Sequence, residues 1–221
     1  MKQTIKSALV LGVLILLANP VSAQSSSSSE SSNSGLAFDV KRLVLTFGYG
    51  FPNFERNSYR SYYNGYGYKS YNYYGIGPII AKADYGIIKF KWKHSVGVGI
   101  MVGYNSTSAQ YEYFNKNNFL YKQTDSYSTV TIGARGTYHF FTTEKVDCYG
   151  SVGLGFNINS HNYTTNDPNG FNNTTYYSKA PSTYEALTVG IRYYFSKSFG
   201  VYAEAGWDFA TPLQAGIAFK F

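Results

Sequence analysis

The last nine residues of the chain alternate without a break. Leu213, Ala215, Ile217, Phe219 and Phe221 fall on one side and Gln214, Gly216, Ala218 and Lys220 on the other. A period of two is the signature of a β-strand with unlike faces, and no helix tolerates it. The same pattern recurs from Val40 onward, so the chain reads as all-β, with one face of every strand apolar and the other built from small or polar residues.

Eight alternating segments are legible. They run over about Arg42–Tyr49, Gly77–Ile88, Val96–Asn105, Thr129–Phe140, Ser151–Asn159, Leu187–Phe195, Val201–Phe209 and Leu213–Phe221. In the third, Val96, Val98, Ile100, Val102 and Tyr104 oppose Gly97, Gly99, Met101, Gly103 and Asn105. Strands of about 9–14 residues exceed the usual five or six of soluble sheets and suit a tilted bilayer crossing. Connections alternate between long ones, about 25 residues after the first segment, and tight turns near Lys91, Thr143 and Lys197, the pattern of a barrel with both ends of its chain on the periplasmic side.

Residues 1–23 read as a cleaved secretory signal: Lys2 and Lys6, an apolar run from Ala8 to Ala18, then Val21-Ser22-Ala23. That run is too short to span a bilayer, so any membrane crossing falls to strands. Loss of Lys2 and Lys6 lowers the formal charge from +7 to about +5, a modest excess that bears on steering and solubility. Its scatter along the chain, with export, argues against nucleic acid as a partner. Residues 24–39 are Ser-rich and read as a flexible tether, which leaves residues 40–221 as the barrel.

Alternation alone leaves two all-β architectures open. A soluble up-and-down barrel of lipocalin type turns its apolar face inward; a membrane barrel turns it outward. Three features favour the membrane: the aromatic last residue, the long strands, and a polar face of Gly, Ser, Thr and Asn with few charges. Charged residues make up only 14% of the chain against 19% aromatics, including 24 Tyr. A water-facing surface carries more Lys and Glu, whereas interfacial belts use Tyr and Trp.

In this pattern, and above all in Gly216-Ile217-Ala218-Phe219-Lys220-Phe221, the chain resembles the small eight-stranded outer-membrane barrels: OmpA-like and OmpW-like proteins and the β-barrel domain proteins of Bacteroidetes. The resemblance implies an eight-stranded antiparallel up-and-down transmembrane barrel, with Phe219 and Phe221 as an assembly signal read by the barrel-assembly machinery. It also implies a Gram-negative outer membrane with its lipids and lipopolysaccharide as surroundings. It implies no single biochemical activity.

Alternation assigns Arg42, Lys82, Asp84, Arg135, His139, Arg192, Glu204, Asp208 and Lys220 to the lumen, with Arg192 and Glu204 as a candidate ion pair on neighbouring strands. These residues either fill the bore by neutralising one another or line a narrow porin-like channel. Five basic residues against three acidic ones would give that channel a mild anion preference. Tyr59, Tyr62, Tyr63, Tyr66, Tyr68, Tyr71, Tyr73 and Tyr74 crowd the first outer connection as a candidate surface for a glycan, a lipopolysaccharide headgroup or a protein. Part of the set instead suits an aromatic girdle or a strand extension above the membrane.

No catalytic constellation, metal site or cofactor motif is expected. His94, His139 and His161 lie on different segments, and the single Cys148 has no partner cysteine. A rim His161 paired with Ser160 or another rim serine is the first place to look for a lipid-modifying chemistry. The leading reading is a monomeric non-enzymatic protein acting through its surface loops in recognition or envelope integrity.

Overall fold

The computed structural model describes residues 35–53, 70–90, 94–114, 118–168, 174–177, 181–208 and 211–221, and of residues 70, 71 and 174–177 the backbone alone. Nine strand segments follow one another: β1 (Leu43–Phe51), β2 (Ser70–Lys89), β3 (Ser95–Phe114), β4 (Leu120–Thr142), β5 (Val146–Thr165), β6 (Thr174–Tyr177), β7 (Ser182–Tyr194), β8 (Phe199–Asp208) and β9 (Thr211–Lys220). All pairings are antiparallel, and the ring runs β1, β2, β3, β4, β5, β7, β8, β9 and back to β1. β6 pairs with β5 at Ser160–Tyr163, just beyond the β5–β7 pairing that ends at Asn157 and Ser182, so β6 and β7 act as one interrupted strand.

The protein is an eight-stranded closed antiparallel β-barrel. Closure is made where the apolar alternation of β9 meets that of β1: Val44 pairs with Lys220 and Phe51 with Leu213. Beyond the strand ends, Phe221 donates its N–H to Leu43 O (2.9 Å) and accepts from Leu43 N–H (3.3 Å). A closed ring leaves no row of unpaired N–H and C=O groups, which is what hydrocarbon requires of a sheet. The register row that leaves β1 at its lower end, Leu43, passes through Tyr85, Val98, Gly136, Val152 and Leu187 to Trp207 at the upper end of β8. The strands are therefore tilted and staggered, as closure demands.

Burial decides which face is inside. Outward residues are apolar and open, Leu154 at 69% and Leu187 at 67% exposure, while inward Asp84 and Arg192 are at 0%. This is the inverse of a lipocalin-type barrel and matches a wall that meets lipid. On β3 the outward run Val96, Val98, Ile100, Val102 and Tyr104 spans nine residues, the length of one tilted crossing. Above it the outward side changes character at one step. Tyr104, Val130 and Ile158 share a register row, and in the next outward row stand Ser106, Ser128 and Ser160.

Four strands continue past that step. β2, β3 and β5 have 20 residues each and β4 has 23, whereas β1, β8 and β9 have 9 or 10. At about 3.3 Å per residue the long strands reach roughly 65 Å, about twice a membrane crossing. The barrel therefore carries a one-sided sheet above its rim. Sequence alternation underestimated these strands because their upper halves, such as Ser106–Glu112 and Gln123–Ser128, are polar on both faces or polar outside and aromatic inside.

The expected signal segment and most of the expected tether lie outside the described residues. The tether does not extend to residue 39, however. Ala37, Phe38 and Asp39 are buried, Ala37 donates its N–H to Thr143 O (2.6 Å), and Asp39 forms a 2.7 Å ion pair with Lys89. Apolar Leu36-Ala37-Phe38 has a core to enter, which the serines before it do not.

The step in the outward face makes a direct prediction. Ile100→Lys, at mid-wall, should destabilise the barrel in lipid vesicles by about 2–4 kcal/mol, while Ser106→Lys should change it by less than about 1 kcal/mol. Urea unfolding of vesicle-inserted protein, followed by heat-modifiable gel mobility, measures both.

Candidate functional site

The inward faces converge on a chain of ionic and hydrogen-bonded contacts that crosses the lumen from one end to the other. Near the upper end, Lys82 on β2 donates to Glu204, to Asp208 Oδ2 (2.7 Å) and to Gln214 Oε1 (2.9 Å). Asp208 also accepts from Tyr184 and from Gln214 Nε2 (2.7 Å). Glu204 accepts from Arg135 Nη2 (3.2 Å) and from Tyr149 OH (2.7 Å).

Lower down, Arg135 Nε lies 3.2 Å from Asp84 Oδ1, Arg192 donates to Asp84 through Nη2 and to Asp147 Oδ2 through Nη1 (3.1 Å), and Asp147 meets His139 Nδ1 at 2.7 Å. His139 in turn stacks on Phe38, with centroids 3.6 Å apart and planes at 6°. The chain thus ends on the buried amino-terminal segment.

Each member is placed by strand parity. On β2, Lys82 and Asp84 are two residues apart and share the inner face; on β8, Glu204 and Asp208, four apart, are both buried on the inner side. The Tyr149 ring lies under the Arg192 guanidinium, 4.2 Å from its centroid. A Cβ at Gly190 would stand 2.5 Å from Cζ of Tyr149, so only glycine there admits the ring. Gly48 does the same for Tyr202, whose hydroxyl would lie 2.1 Å from a Cβ. Small inward residues therefore make room for large ones on neighbouring strands.

Seven of the nine lumen candidates belong to this chain: Lys82, Asp84, Arg135, His139, Arg192, Glu204 and Asp208. The remaining two sit at the lower mouth. Lys220 places its ammonium 4.5 Å over the Tyr194 ring and 3.5 Å from Leu36 O. Arg42 is half-buried, with its N–H on Asp39 O (3.2 Å).

Two expectations change. The pairing of Arg192 with Glu204 does not form, because the Tyr149 ring stands between them: it carries the guanidinium on its face and gives its hydroxyl to Glu204. The basic excess behind the anion preference is also absent from the chain of contacts, where Asp84, Asp147, Glu204 and Asp208 surround Lys82, Arg135 and Arg192. Sequence reasoning missed Asp147 by starting the fifth strand at Ser151. Counting back by twos through Tyr149 reaches it.

Above the rim the inner face turns aromatic. Tyr73 packs on Ala109 and Tyr111, Tyr111 donates to Asp125 Oδ2 (3.1 Å), Tyr163 to Gln123 Oε1 (2.8 Å) and Tyr113 to Asp167 Oδ2 (3.2 Å). Tyr127 and His161 stack with centroids 4.0 Å apart, and His161 Nε2 lies 3.6 Å from Asp125 Oδ1. Of the loop tyrosines, Tyr59, Tyr62, Tyr63, Tyr66 and Tyr68 lie outside the described residues. Tyr71, Tyr73 and Tyr74 belong to β2, where Tyr74 faces outward and is exposed.

The suggested His161–Ser160 pair is excluded by alternation, since the two residues point to opposite faces of β5. Phe219 packs near Phe199 (5.5 Å) and Phe47 (6.4 Å) on the outer wall, and Phe221 closes the seam described above.

No family model and no curated protein matches the chain. Among solved structures it is similar to Ail, the attachment invasion locus protein of Yersinia pestis, at 14% identity over 82% of this chain and 99% of that one, with a TM-score of 0.35. Ail in complex with the heparin analogue sucrose octasulfate matches at 14% identity over 82% and 99%, TM-score 0.31. The N-terminal β-barrel domain of Pseudomonas aeruginosa OprF matches at 16% identity over 82% and 98%, TM-score 0.32. Likeness at this level carries neither ligand nor activity across.

Breaking the lumen chain at one point leaves a buried charge without its partner. Arg192→Met should destabilise the folded barrel by about 3–5 kcal/mol. Adding Asp147→Asn should recover part of that loss, because the two residues share one set of contacts. Equilibrium unfolding of Arg192→Met, Asp147→Asn and the double variant gives the coupling.

Proposed function

We propose that this protein is a non-enzymatic, monomeric outer-membrane β-barrel whose sealed lumen serves as a rigid anchor for the sheet raised above its rim. The reading places it with the small OmpA-like or OmpW-like barrels, inserted by the outer-membrane assembly machinery and embedded among outer-membrane lipids and lipopolysaccharide. The raised strands and the Tyr-rich first connection then act in surface recognition or envelope integrity.

One observation carries the proposal: the chain of buried contacts from Gln214 to Phe38 fills the cross-section of a narrow barrel. Eight strands enclose little more than their own side chains. Arg192 and Tyr149 are both at 0% exposure, with Phe38 beneath them at 1%. An open path for solutes would need these groups to part, and each separation would strand a charge in a low-dielectric interior. Activity is thereby directed to the outer surface, where the wall is hydroxyl-rich and the inner face of the extension presents rings and carboxylates.

Single-channel recording tests the seal. The folded mature protein in a planar bilayer should give no discrete openings, whereas Arg135→Ala combined with Glu204→Ala should produce brief ones. Reproducible openings of the unaltered barrel would favour the narrow porin-like channel instead.

A further inference from the structure

The outer wall is not uniform. Between β4 and β8 lies a hollow of about 540 Å³ on which Ala134, Gly136, Val152, Leu154, Leu187 and Trp207 converge, and Glu185 stands among them. Strand parity explains its shape. Ala134 pairs with Leu154, Gly136 with Val152, Val152 with Leu187, and Leu187 with Trp207, all on the outward side. Ala134 and Gly136 form the shallow side of the hollow and the larger residues its walls. A Cβ added at Gly136 would find nothing nearer than Val152 Cγ2 at 3.8 Å, so the space in front of that glycine is open.

Glu185 is the unexpected member. It pairs with Leu154 in the register and is exposed on the outward side, two residues above Leu187 toward the outer end of β7. On β7 the outward residues below it, Leu187, Val189, Ile191 and Tyr193, are all exposed and apolar or aromatic. Glu185 therefore sits where acyl chains give way to headgroups, beside the interfacial indole of Trp207. Higher on the wall, the outward Glu112 stands opposite Lys122 in the register. Among the described residues no cation pairs with Glu185. A carboxylate at the edge of hydrocarbon favours a counter-charge, and among the described residues of the wall none supplies one.

We propose that this hollow is a site for a membrane lipid bearing a primary ammonium headgroup, its ammonium on the Glu185 carboxylate and an acyl chain in the apolar trough below. The small residues of β4 leave the chain its room, the carboxylate selects the head, and Trp207 lies over the junction. Neutral and anionic heads lack the complementary charge, and an anionic head is repelled. The inference rests on the membrane reading given above.

The test uses the protein's own fluorophore. Of the two tryptophans, Trp92 is replaced by phenylalanine so that Trp207 reports alone, and the folded barrel is placed in vesicles containing brominated phosphatidylethanolamine or brominated phosphatidylglycerol in a background of phosphatidylcholine. Quenching of Trp207 should favour the ethanolamine lipid by roughly fivefold, the selectivity expected of one interfacial charge contact. Glu185→Gln should bring that ratio to about 1, and Gly136→Leu, which fills the trough in open space, should lower it as well.

Equal quenching by both lipids, or a preference that survives either substitution in a barrel still heat-modifiable on gels, overturns the site. Absence of quenching by any brominated lipid would instead overturn the membrane reading, so the two failures are distinguishable.

Discussion

Strand register is the constraint on which everything else in this barrel depends. A shift of one residue in any strand exchanges its faces, carrying Lys82 and Asp84, or Glu204 and Asp208, from the lumen to the wall. Each charge turned toward mid-membrane lipid costs about 2–4 kcal/mol, and each partner left inside is a buried charge unpaired. Ionic contacts that add little net stability when intact therefore penalise wrong pairings heavily. They act between strands far apart in sequence: Lys82 with Glu204, Arg192 with Asp84, Arg135 with both acids. A chain of such contacts tests the register of β2, β4, β5, β7 and β8 together.

Much of this was legible in the sequence because a closed barrel with an apolar outside and a polar inside imposes a strict period of two. Val96 to Tyr104 and Leu187 to Tyr193 announce both the strand and its outward face, and the inward positions of the lumen charges follow from the same count. What escaped was information that alternation does not hold. Asp147 lay beyond an assumed strand end, and the partner of Arg192 depends on Tyr149, whose ring lies over Gly190, its register partner on the adjacent strand. The upper halves of β2 to β5 escaped too, because above the lipid the outward face becomes Ser, Thr and Gln, and the contrast between faces on which the period rests disappears. Phe38 was hidden by the company of serines; one aromatic residue after a polar run carries no period at all.

The inner face changes its chemistry along the axis for a physical reason. Within the ring, apolar walls on all sides keep the local dielectric low, and charges pair with opposite charges or with several donors at once. Above the rim, among the described residues, β2 to β5 continue with β6 beside them. There carboxylates meet neutral hydroxyls: Asp125 accepts from Tyr111, Asp167 from Tyr113, and Gln123 takes the Tyr163 hydroxyl. Tyrosine combines a broad apolar ring with a donor at its tip, so it covers a sheet face while satisfying the polar groups on it. The abundance of tyrosine is thus partly a requirement of raising a sheet above the closed ring, where no second sheet covers it among the described residues.

The same one-sidedness divides the outer wall. Where β3, β4 and β5 rise together, the surface above the lipid is a continuous field of Ser106, Ser108, Ser126, Ser128 and Ser160, with Ser108 and Ser126 hydrogen-bonded to each other at 2.7 Å. The described pairing of β7 with β8 runs no higher than Leu187 and Trp207. At that low edge Glu185 is exposed on the outward side and, among the described residues, has no cation beside it. A tall hydroxyl-rich side and a low side carrying Glu185 give the barrel two outward surfaces of different chemistry, and they follow from which of the described strands continue upward.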